Sequence, residues 1–251
     1  MKKILLLVFS LLFVASSAWS QRTTITKFEG EDIRSLIISG AFDVKLSQGD
    51  KCSVRVEIMP EVANKLILNL SDKGCLRLGH GSDVGQFFTA SKNRPVAYIV
   101  VSELDYINLS GTCSVICSGQ FVSSQLFSMK AELGAFCAFM NVKASEIDIS
   151  VASAAEVENL TVETPGRVLM DVSGPSRAEL MGESASARLS VSSAAQLNAL
   201  SFVSPVIQAS ATGTSLLKAN FTGEADVTIG ALSSIRYIGS GKITGSGAKP
   251  L

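Results

Sequence analysis

Two glutamates are the residues of this sequence best placed to do chemistry. Glu158 and Glu179 occupy equivalent positions in two consecutive copies of an internal repeat. Glycoside hydrolysis uses two carboxyl groups roughly 5 to 10 Å apart, one of them with a raised pKa. Strands stacked about 4.8 Å apart would bring two such backbones near that distance. No cluster of acidic or basic residues accompanies the pair, so we interpret both as solvated surface carboxylates and keep hydrolysis or lysis of a polysaccharide as the alternative.

The remaining reactive side chains give weaker patterns. His80 is the only histidine, which excludes a multi-histidine zinc site, and we expect it to be a surface loop residue. An odd number of cysteines leaves at least one thiol unpaired in a monomer. We expect Cys113, Cys117 and Cys137 to be buried fillers of the core. A disulfide bridge between Cys52 and Cys75 stays open. We assign no catalytic, cofactor-binding or metal-ligating residue and no cofactor.

A repeat organises the chain from Ile107 to Ile238. A cluster of small residues followed by an apolar residue returns seven times, and the apolar positions are 21, 21, 21, 19, 19 and 19 residues apart. A near-constant period of this size is typical of a solenoid, in which small side chains stack at tight corners. The predicted inward-facing corner residues are Val115, Phe136, Val157, Ala178, Leu197, Leu216 and Ile235.

Alternating apolar residues before each corner predict strands with one face inward, as in Ile149 with Val151 and Leu189 with Val191. The sequence therefore predicts an all-β, right-handed parallel β-helix of about seven coils of 19 to 21 residues, although the pattern leaves the hand of the coil open. An antiparallel array of hairpins would have a similar period. The corners lack the Asn-Gly and Asp-Gly pairs that two-residue hairpins favour, which argues against that array.

The first 20 residues have the pattern of a secretory signal peptide. Lys2 and Lys3 precede an apolar run, and Ala18-Trp19-Ser20 places small residues at the expected cleavage site. Removing residues 1–20 leaves 20 basic and 22 acidic residues, a formal charge of 20 − 22 = −2. We therefore expect an exported protein, in the periplasm, on the outer surface or outside the cell, with no nucleic acid partner and no integral membrane span.

Residues 21–106 predict further strands that lead into the solenoid and cap or extend it within the same domain, and residues 107–245 form the repeats. We predict a loose tail over residues 246–251. Between Gly79 and Pro95 the sequence is polar and rich in turn residues, apart from Phe87 and Phe88. These two rings could clasp a ligand, but we favour packing against the end of the solenoid.

The order of strands and small corners resembles the bacterial family called putative auto-transporter adhesin, head GIN domain. The resemblance rests on Ser39-Gly40-Ala41-Phe42-Asp43-Val44, on Gln48-Gly49-Asp50, on Gly74 to Leu78, on Val96 to Val101 and on Leu109-Ser110-Gly111, and it extends from about Ile33 to Ile243. It implies an exported β-solenoid with a role in adhesion. It brings no functional residues to positions of this chain.

The sequence thus favours a non-enzymatic, exported β-solenoid of the cell envelope that binds a ligand or acts as a scaffold. Two alternatives stay open, a carbohydrate-active enzyme on the same scaffold and a carrier of a lipid or another hydrophobic ligand. The ligand, glycan or protein, is not identified by the sequence, and neither is the oligomeric state. Association of copies through the solenoid ends stays open as well.

Overall fold

Parallel strands stacked in successive coils make up most of the molecule. The computed structural model describes residues 22–85, 87–89 and 93–251, so the predicted signal peptide lies outside the described residues. Strands of one coil pair in parallel with those of the next, from Tyr106 to the last coil. This pairing confirms the predicted all-β solenoid of about seven turns over an array of antiparallel hairpins.

The strands before the repeat are short and alternate between buried and exposed side chains. A 3-10 helix, Pro60–Lys65, and two single 3-10 turns, Ser82–Val84 and Phe87–Thr89, lie between these strands. The strands are β1 Thr23–Lys27, β2 Ser35–Ser39, β3 Asp43–Gln48, β4 Ser53–Ile58, β5 Leu66–Leu70, β6 Cys75–His80 and β7 Val96–Val101.

The repeat region contains sixteen strands, two of which run over corners from one face to the next. They are β8 Tyr106–Ser110, β9 Ser114–Ser118, β10 Gln120–Val122, β11 Leu126–Glu132, β12 Phe136–Ala138, β13 Asn141–Lys143, β14 Glu146–Val151, β15 Glu156–Ser173, β16 Arg177–Ser192, β17 Gln196–Val203, β18 Val206–Ala211, β19 Leu216–Asn220, β20 Glu224–Ile229, β21 Ser234–Ile238, β22 Lys242–Gly245 and β23 Lys249–Pro250.

Each complete coil contributes to three faces. The first face stacks β8, β11, β14, the ends of β15 and β16, β18, β20 and β22. The second stacks β9, β12, the starts of β15 and β16, β17, β19, β21 and β23. The third is shorter and consists of β10, β13, the middle parts of β15 and β16, and the end of β17.

Residues in equal register on the first face form the inner wall of the core. One column of buried side chains runs in register through seven strands, and each apolar residue in such a column stabilises the fold by about 1.5 to 3 kcal/mol before the chain entropy is subtracted. The column consists of Ile107, Met129, Ile149, Met170, Leu189, Ala209 and Val227.

The corners between the first and second faces are built from small buried residues, as predicted. Each corner carbonyl accepts a hydrogen bond from the next coil; for example, the Glu156 N–H donates to Ala135 O, and the Arg177 N–H donates to Ala155 O, at 2.9 and 3.1 Å. Ser176 donates its hydroxyl to Ser173 O at 2.7 Å and so satisfies a carbonyl within its own turn. Close stacking at the corners therefore leaves room only for side chains of this size.

The structure corrects two of the predicted corner residues. Cys137 is in register with Val115 and Val157, and Leu217 is in register with Leu197. Phe136 and Leu216, which we predicted to face inward, lie one position earlier and are only half-buried. Each error falls in a pair of adjacent apolar residues, where the pattern does not show which side chain faces the core.

A spacing of three residues after the corner residue predicts that Leu160, Met181, Leu200 and Ile238 also face inward on the second face. Of these only Leu160 is buried, and Ile238 is 42% exposed. Val157 and Leu160 are both buried because Asn159, with φ 51°, forms a bulge that adds one residue. The preceding coil has the same bulge at Phe139, with φ 60°, and there Cys137 and Met140 are buried. In the two following coils the next inward residue comes two positions after the corner residue, so Leu180 and Ala199 face inward. Met181 and Leu200, which the three-residue spacing predicted to face inward, are only half-buried.

The N-terminal strands both extend and cap the solenoid, as predicted. β2 and β3 pair in parallel with β8 and β9 and so form a further coil of the same register. β6 and β7 pair in parallel with β2 and β3 on the other side. The antiparallel strands β5, on β6, and β4 followed by β1, on β7, then close this end.

Candidate functional site

The second face carries one column of outward side chains from one end of the molecule to the other. We call this column the outer ladder. Twelve strands contribute one residue each, and all of these residues except the covered Ala138 are half-buried or exposed. In spatial order the ladder consists of Thr26, Arg55, Tyr98, Lys45, Ile116, Ala138, Glu158, Glu179, Asn198, Lys218, Arg236 and Lys249.

Charge alternates in blocks along the outer ladder. Two cations stand near the N-terminal end, two carboxylates in the middle, and three cations near the C-terminal end. Counting one residue on from the predicted corner residues Phe136 and Leu216 predicts Cys137 and Leu217 for this column, but the structural register puts Ala138 and Lys218 there. The polar character of the ladder is therefore more continuous than the sequence indicated.

Glu158 and Glu179 lie on neighbouring coils, as the repeat predicted. The preceding residues Val157 and Ala178 pair directly, and the bulge at Asn159 begins immediately after them. Glu158 is exposed, whereas Glu179 is half-buried and accepts a hydrogen bond from Asn198 Nδ2 at 3.3 Å. The pair stands on an open lateral face, where water reaches both carboxyl groups.

A shallow depression of about 150 Å³ lies beside the glutamates on the same face. Its lining residues do not include Glu158 or Glu179; they are Arg177, Ala178, Gln196, Leu197, Asn198, Leu216 and Lys218. A hydrolytic site needs both carboxyl groups on the bound sugar, with one held in its protonated form. This arrangement favours surface carboxylates over a catalytic pair.

The N-terminal end of the ladder brings an aromatic ring between two cations. The Cζ atom of Arg55 lies 4.1 Å from the centroid of the Tyr98 ring, and Nζ of Lys45 lies 5.2 Å from it. Direct pairing of Tyr98 with Arg55 on one side and with Lys45 on the other fixes their order. Alternation within β4 and β7 indicates that these side chains point outward, but the sequence does not show that the strands pair.

Carboxylates flank this group of three in the adjacent outward column. Glu57 Oε1 lies 3.4 Å from Nη1 of Arg55. Asp43 accepts a hydrogen bond from Nη1 of Arg94 at 3.0 Å, and Arg94 also donates to the backbone carbonyl of Thr112. Cations and hydrogen-bond acceptors therefore lie side by side on this part of the second face.

His80 has a structural position rather than the predicted surface one. It ends strand β6, is half-buried, and its Nε2 accepts a hydrogen bond from the Ala41 N–H at 3.2 Å. Its Nδ1 lies 3.0 Å from Gly81 O, which assigns the proton to Nδ1. The ring also packs between Phe42 and Phe88, at 5.6 and 5.0 Å between centroids. Both nitrogens are thus engaged in holding the cap.

Of the two loop phenylalanines, Phe88 packs as favoured from the sequence, whereas Phe87 is exposed. Phe88 is fully buried, and its ring meets Phe87 edge-on at 5.5 Å. Phe87 is 37% exposed. Packing at the capped end of the solenoid therefore accounts for Phe88.

Four of the five cysteines are buried, and all five are free thiols. The bridge between Cys52 and Cys75 is not formed, and Cys52 Sγ instead contacts Ser102 Oγ at 3.6 Å. Burial raises the pKa of the Cys113 thiol to about 12. The pKa of Cys137 is raised by its contact with Cys117, 3.9 Å between sulfur atoms, and by burial. These thiols stay protonated near neutral pH and act as the predicted buried fillers.

The part of the chain that the structure describes contains neither a candidate metal cluster nor a candidate membrane-spanning helix. Within it, no three His, Cys, Asp or Glu side chains are grouped so as to hold a metal ion. No helix among residues 22–85, 87–89 and 93–251 has the length and apolar character needed to cross a bilayer.

Residues 33–241 match the sequence profile of the family described as putative auto-transporter adhesin, head GIN domain. The chain belongs to this family. The match confirms the resemblance carried by the N-terminal strands and small corners. The description of the head GIN domain family fits an exported or cell-surface protein that binds some ligand.

Solved structures share the fold at low sequence identity. A putative adhesin from Parabacteroides merdae aligns with a TM-score of 0.78 at 15% identity, covering 93% of this chain and 95% of that chain. One from Parabacteroides distasonis gives 0.76 at 15% identity, covering 92% and 97%. A protein of Parabacteroides distasonis described as a putative lipid binding protein gives 0.73 at 17% identity, covering 92% and 97%. No curated protein matches the chain.

Proposed function

We propose that this protein is an exported, non-enzymatic binding protein that holds an extended ligand along its second face. The outer ladder is the observation that carries the proposal. Strands pair without interruption from β1 to β23 on this face, which gives a surface about 50 Å long at about 4.8 Å per strand. Polar and charged side chains stand on it at fixed intervals, a pattern suited to a polymer or to another surface. The adhesin description of the family supports this role.

The arrangement of Glu158 and Glu179 supports binding over catalysis. Glu179 is hydrogen-bonded to Asn198, and neither glutamate lines the neighbouring depression. A general acid needs surroundings that keep it protonated near neutral pH, and an open, hydrated face does not provide them.

A lipid carrier, the other alternative, would need room between the faces. Large side chains fill that space, and Phe127, Phe202 and Phe221 are at most 1% exposed. A lipid chain could enter the solenoid only by displacing this core, at a cost of several kcal/mol for each large side chain.

The proposal is tested by incubating residues 21–251 with a panel of plant, host and bacterial polysaccharides. Retention on each polymer and release of shorter sugars are recorded together. We expect retention on at least one polymer, and no released sugar from either the unmodified protein or the Glu158→Gln, Glu179→Gln double variant.

Sugar release that disappears in the double variant would make the protein an enzyme and overturn the proposal. Retention by no polymer would exclude glycans as the ligand, and the proposal would then require binding to a purified envelope or host protein.

A further inference from the structure

Three side chains near the capped end of the outer ladder form a group that the general binding role does not explain. Arg55, Tyr98 and Lys45 are in direct register on three adjacent strands, and we call them the cation–tyrosine group. Arg55 and Lys45 are exposed and Tyr98 is half-buried. Their order is fixed by backbone pairing in the middle of a sheet, so the group is formed before any ligand binds.

The group holds more positive charge than its protein neighbours neutralise. The ring of Tyr98 attracts both cations through its quadrupole but carries no net charge. Arg55 has Glu57 at 3.4 Å, whereas Lys45 forms no ion pair with any described residue. The Tyr98 hydroxyl likewise makes no hydrogen bond within the described part of the chain. An ammonium, a guanidinium and a hydroxyl are therefore all available as donors to one anionic ligand.

The flanking carboxylates decide what kind of anion fits. Glu57 and Asp43, the latter paired with Arg94, stand in the adjacent outward column and weaken the attraction for a densely charged polymer. Duplex DNA carries one negative charge per about 1.7 Å of its axis, whereas Arg55 and Lys45 offer two cations over about 10 Å, two strand spacings. A polymer of sparse charge and many hydroxyls matches better, because its hydroxyls can donate to these carboxylates.

We propose that the cation–tyrosine group binds uronate carboxylates of an acidic polysaccharide, with Arg55, Lys45 and the Tyr98 hydroxyl as donors. Glu57 and Asp43 accept hydrogen bonds from the sugar hydroxyls. The ladder continues with the hydroxyl of Thr26 on one side and with Ile116, 41% exposed, on the other, so neighbouring sugars also meet matching groups. This inference rests on the proposed function and specifies its ligand class.

The test measures binding of residues 21–251 to polygalacturonate by affinity electrophoresis at low salt, with dextran as the neutral polymer and duplex DNA as the dense polyanion. We expect binding to polygalacturonate that weakens as salt is added, and weaker binding to both other polymers. Lys45→Gln with Arg55→Gln should reduce affinity at least about tenfold, because two charge-assisted hydrogen bonds are lost. Tyr98→Phe, which removes only the hydroxyl, should reduce it about two- to tenfold.

The matched control is Arg188→Gln with Lys242→Gln, which removes two exposed cations of the first face, away from the outer ladder. We expect its affinity to stay within about twofold of the unmodified protein, and thermal melting should show that every variant is folded. Equal loss in the control, or tighter binding to DNA, would overturn the inference by showing unspecific charge attraction. Retention on other polymers without binding to polygalacturonate would overturn the inference and leave the proposed function standing.

Discussion

At the scale of single residues, the buried thiols connect the core to the pH dependence of stability. Cys113 is buried and its pKa is raised to about 12, because burial disfavours the thiolate and Cys137 lies close by. In the unfolded chain a cysteine thiol has a pKa of about 8.5. The folded state therefore holds this proton more tightly than the unfolded state does.

The contribution of Cys113 is fully present below the unfolded pKa and is lost as pH rises toward about 12. Between these two pKa values, Cys113 lowers the unfolding free energy by up to about 1.4 kcal/mol per pH unit. We predict that Cys113→Ala reduces the slope of unfolding free energy against pH. Urea unfolding from roughly pH 8 to pH 11, the range in which the unfolded thiol loses its proton and the folded one keeps it, measures this slope.

Cys75→Ala is the control for loss of a thiol, because Cys75 is only half-buried on β6. A Cys113→Ala variant whose stability changes with pH as steeply as that of the unmodified protein would contradict the burial argument. A uniform loss of unfolding free energy at every pH, caused by the small cavity, would not contradict it, since the slope is the quantity compared.

Residue-level interpretation of the sequence succeeded where side-chain size alone decides the position. Cys113, Cys117 and Cys137 were expected inside, and all three are buried. His80 was expected on the surface because its flanking glycines suggested a loop. Its real position depends on Phe42 and Phe88, which approach from distant parts of the chain, and no local pattern contains that information.

At the scale of elements, the corners combine tight stacking with unusual backbone conformations. Ser153 and Ala154 both have positive φ, 55° and 67°, and Ser193 and Ala194 repeat this pair at 55° and 72°. The Ala195 N–H donates to Ser192 O at 3.2 Å and closes the turn around Ser193 and Ala194. A side chain at positive φ costs roughly 1 to 2 kcal/mol, which these turns accept without glycine.

We predict that Ala194→Gly stabilises the protein by about 0.5 to 1 kcal/mol. Relief of the strained backbone exceeds the extra entropy that glycine gives to the unfolded chain. For a chain of this length, a change of 1 kcal/mol shifts the melting temperature by about 2 to 4 °C.

The matched variant is Ala195→Gly, one residue later. Ala195 is fully buried and is not among the residues with positive φ, so this change should destabilise by about 1 kcal/mol or more. Thermal melts of both variants check the pair, and a shift of the same sign in both would show that the turn conformation does not govern stability.

The strands and corners could be predicted where they follow the sequence repeat. The first face follows from alternation, as Ile149 and Leu189 show. The third face was not predicted, because its strands are short and follow from bends within β15 and β16 rather than from turn residues. The bulges at Phe139 and Asn159 also show how the spacing in two coils can mislead alignment of the others.

At the scale of the whole molecule, the parallel faces make the protein a nearly one-dimensional array. Each coil contacts mainly the coil before it and the coil after it, so the terminal coils have fewer stabilising partners than the central ones. The N-terminal end is closed by β1, β4 and β5. At the other end β22 and β23 are short, and most of their side chains are exposed.

We predict that amide hydrogen exchange is graded along the solenoid. Amides of β14 and of the end of β16 should exchange at least about a hundredfold more slowly than those of β21 and β22, because local opening of an end coil breaks only one interface. Mass spectrometry of peptides from these strands measures the difference. Equal protection in the two groups would indicate one cooperative unit and contradict the array description.

The order of the strands also has a mechanical consequence. β1 and β23 lie at opposite ends of the second face, so tension between the chain ends pulls along the stack. Hydrogen bonds between coils run along that direction and are loaded a few at a time, starting from one end. Each coil of about 20 residues would release roughly 65 Å of chain as it peels away. A tethered molecule would therefore lengthen in steps under load and keep its remaining coils folded.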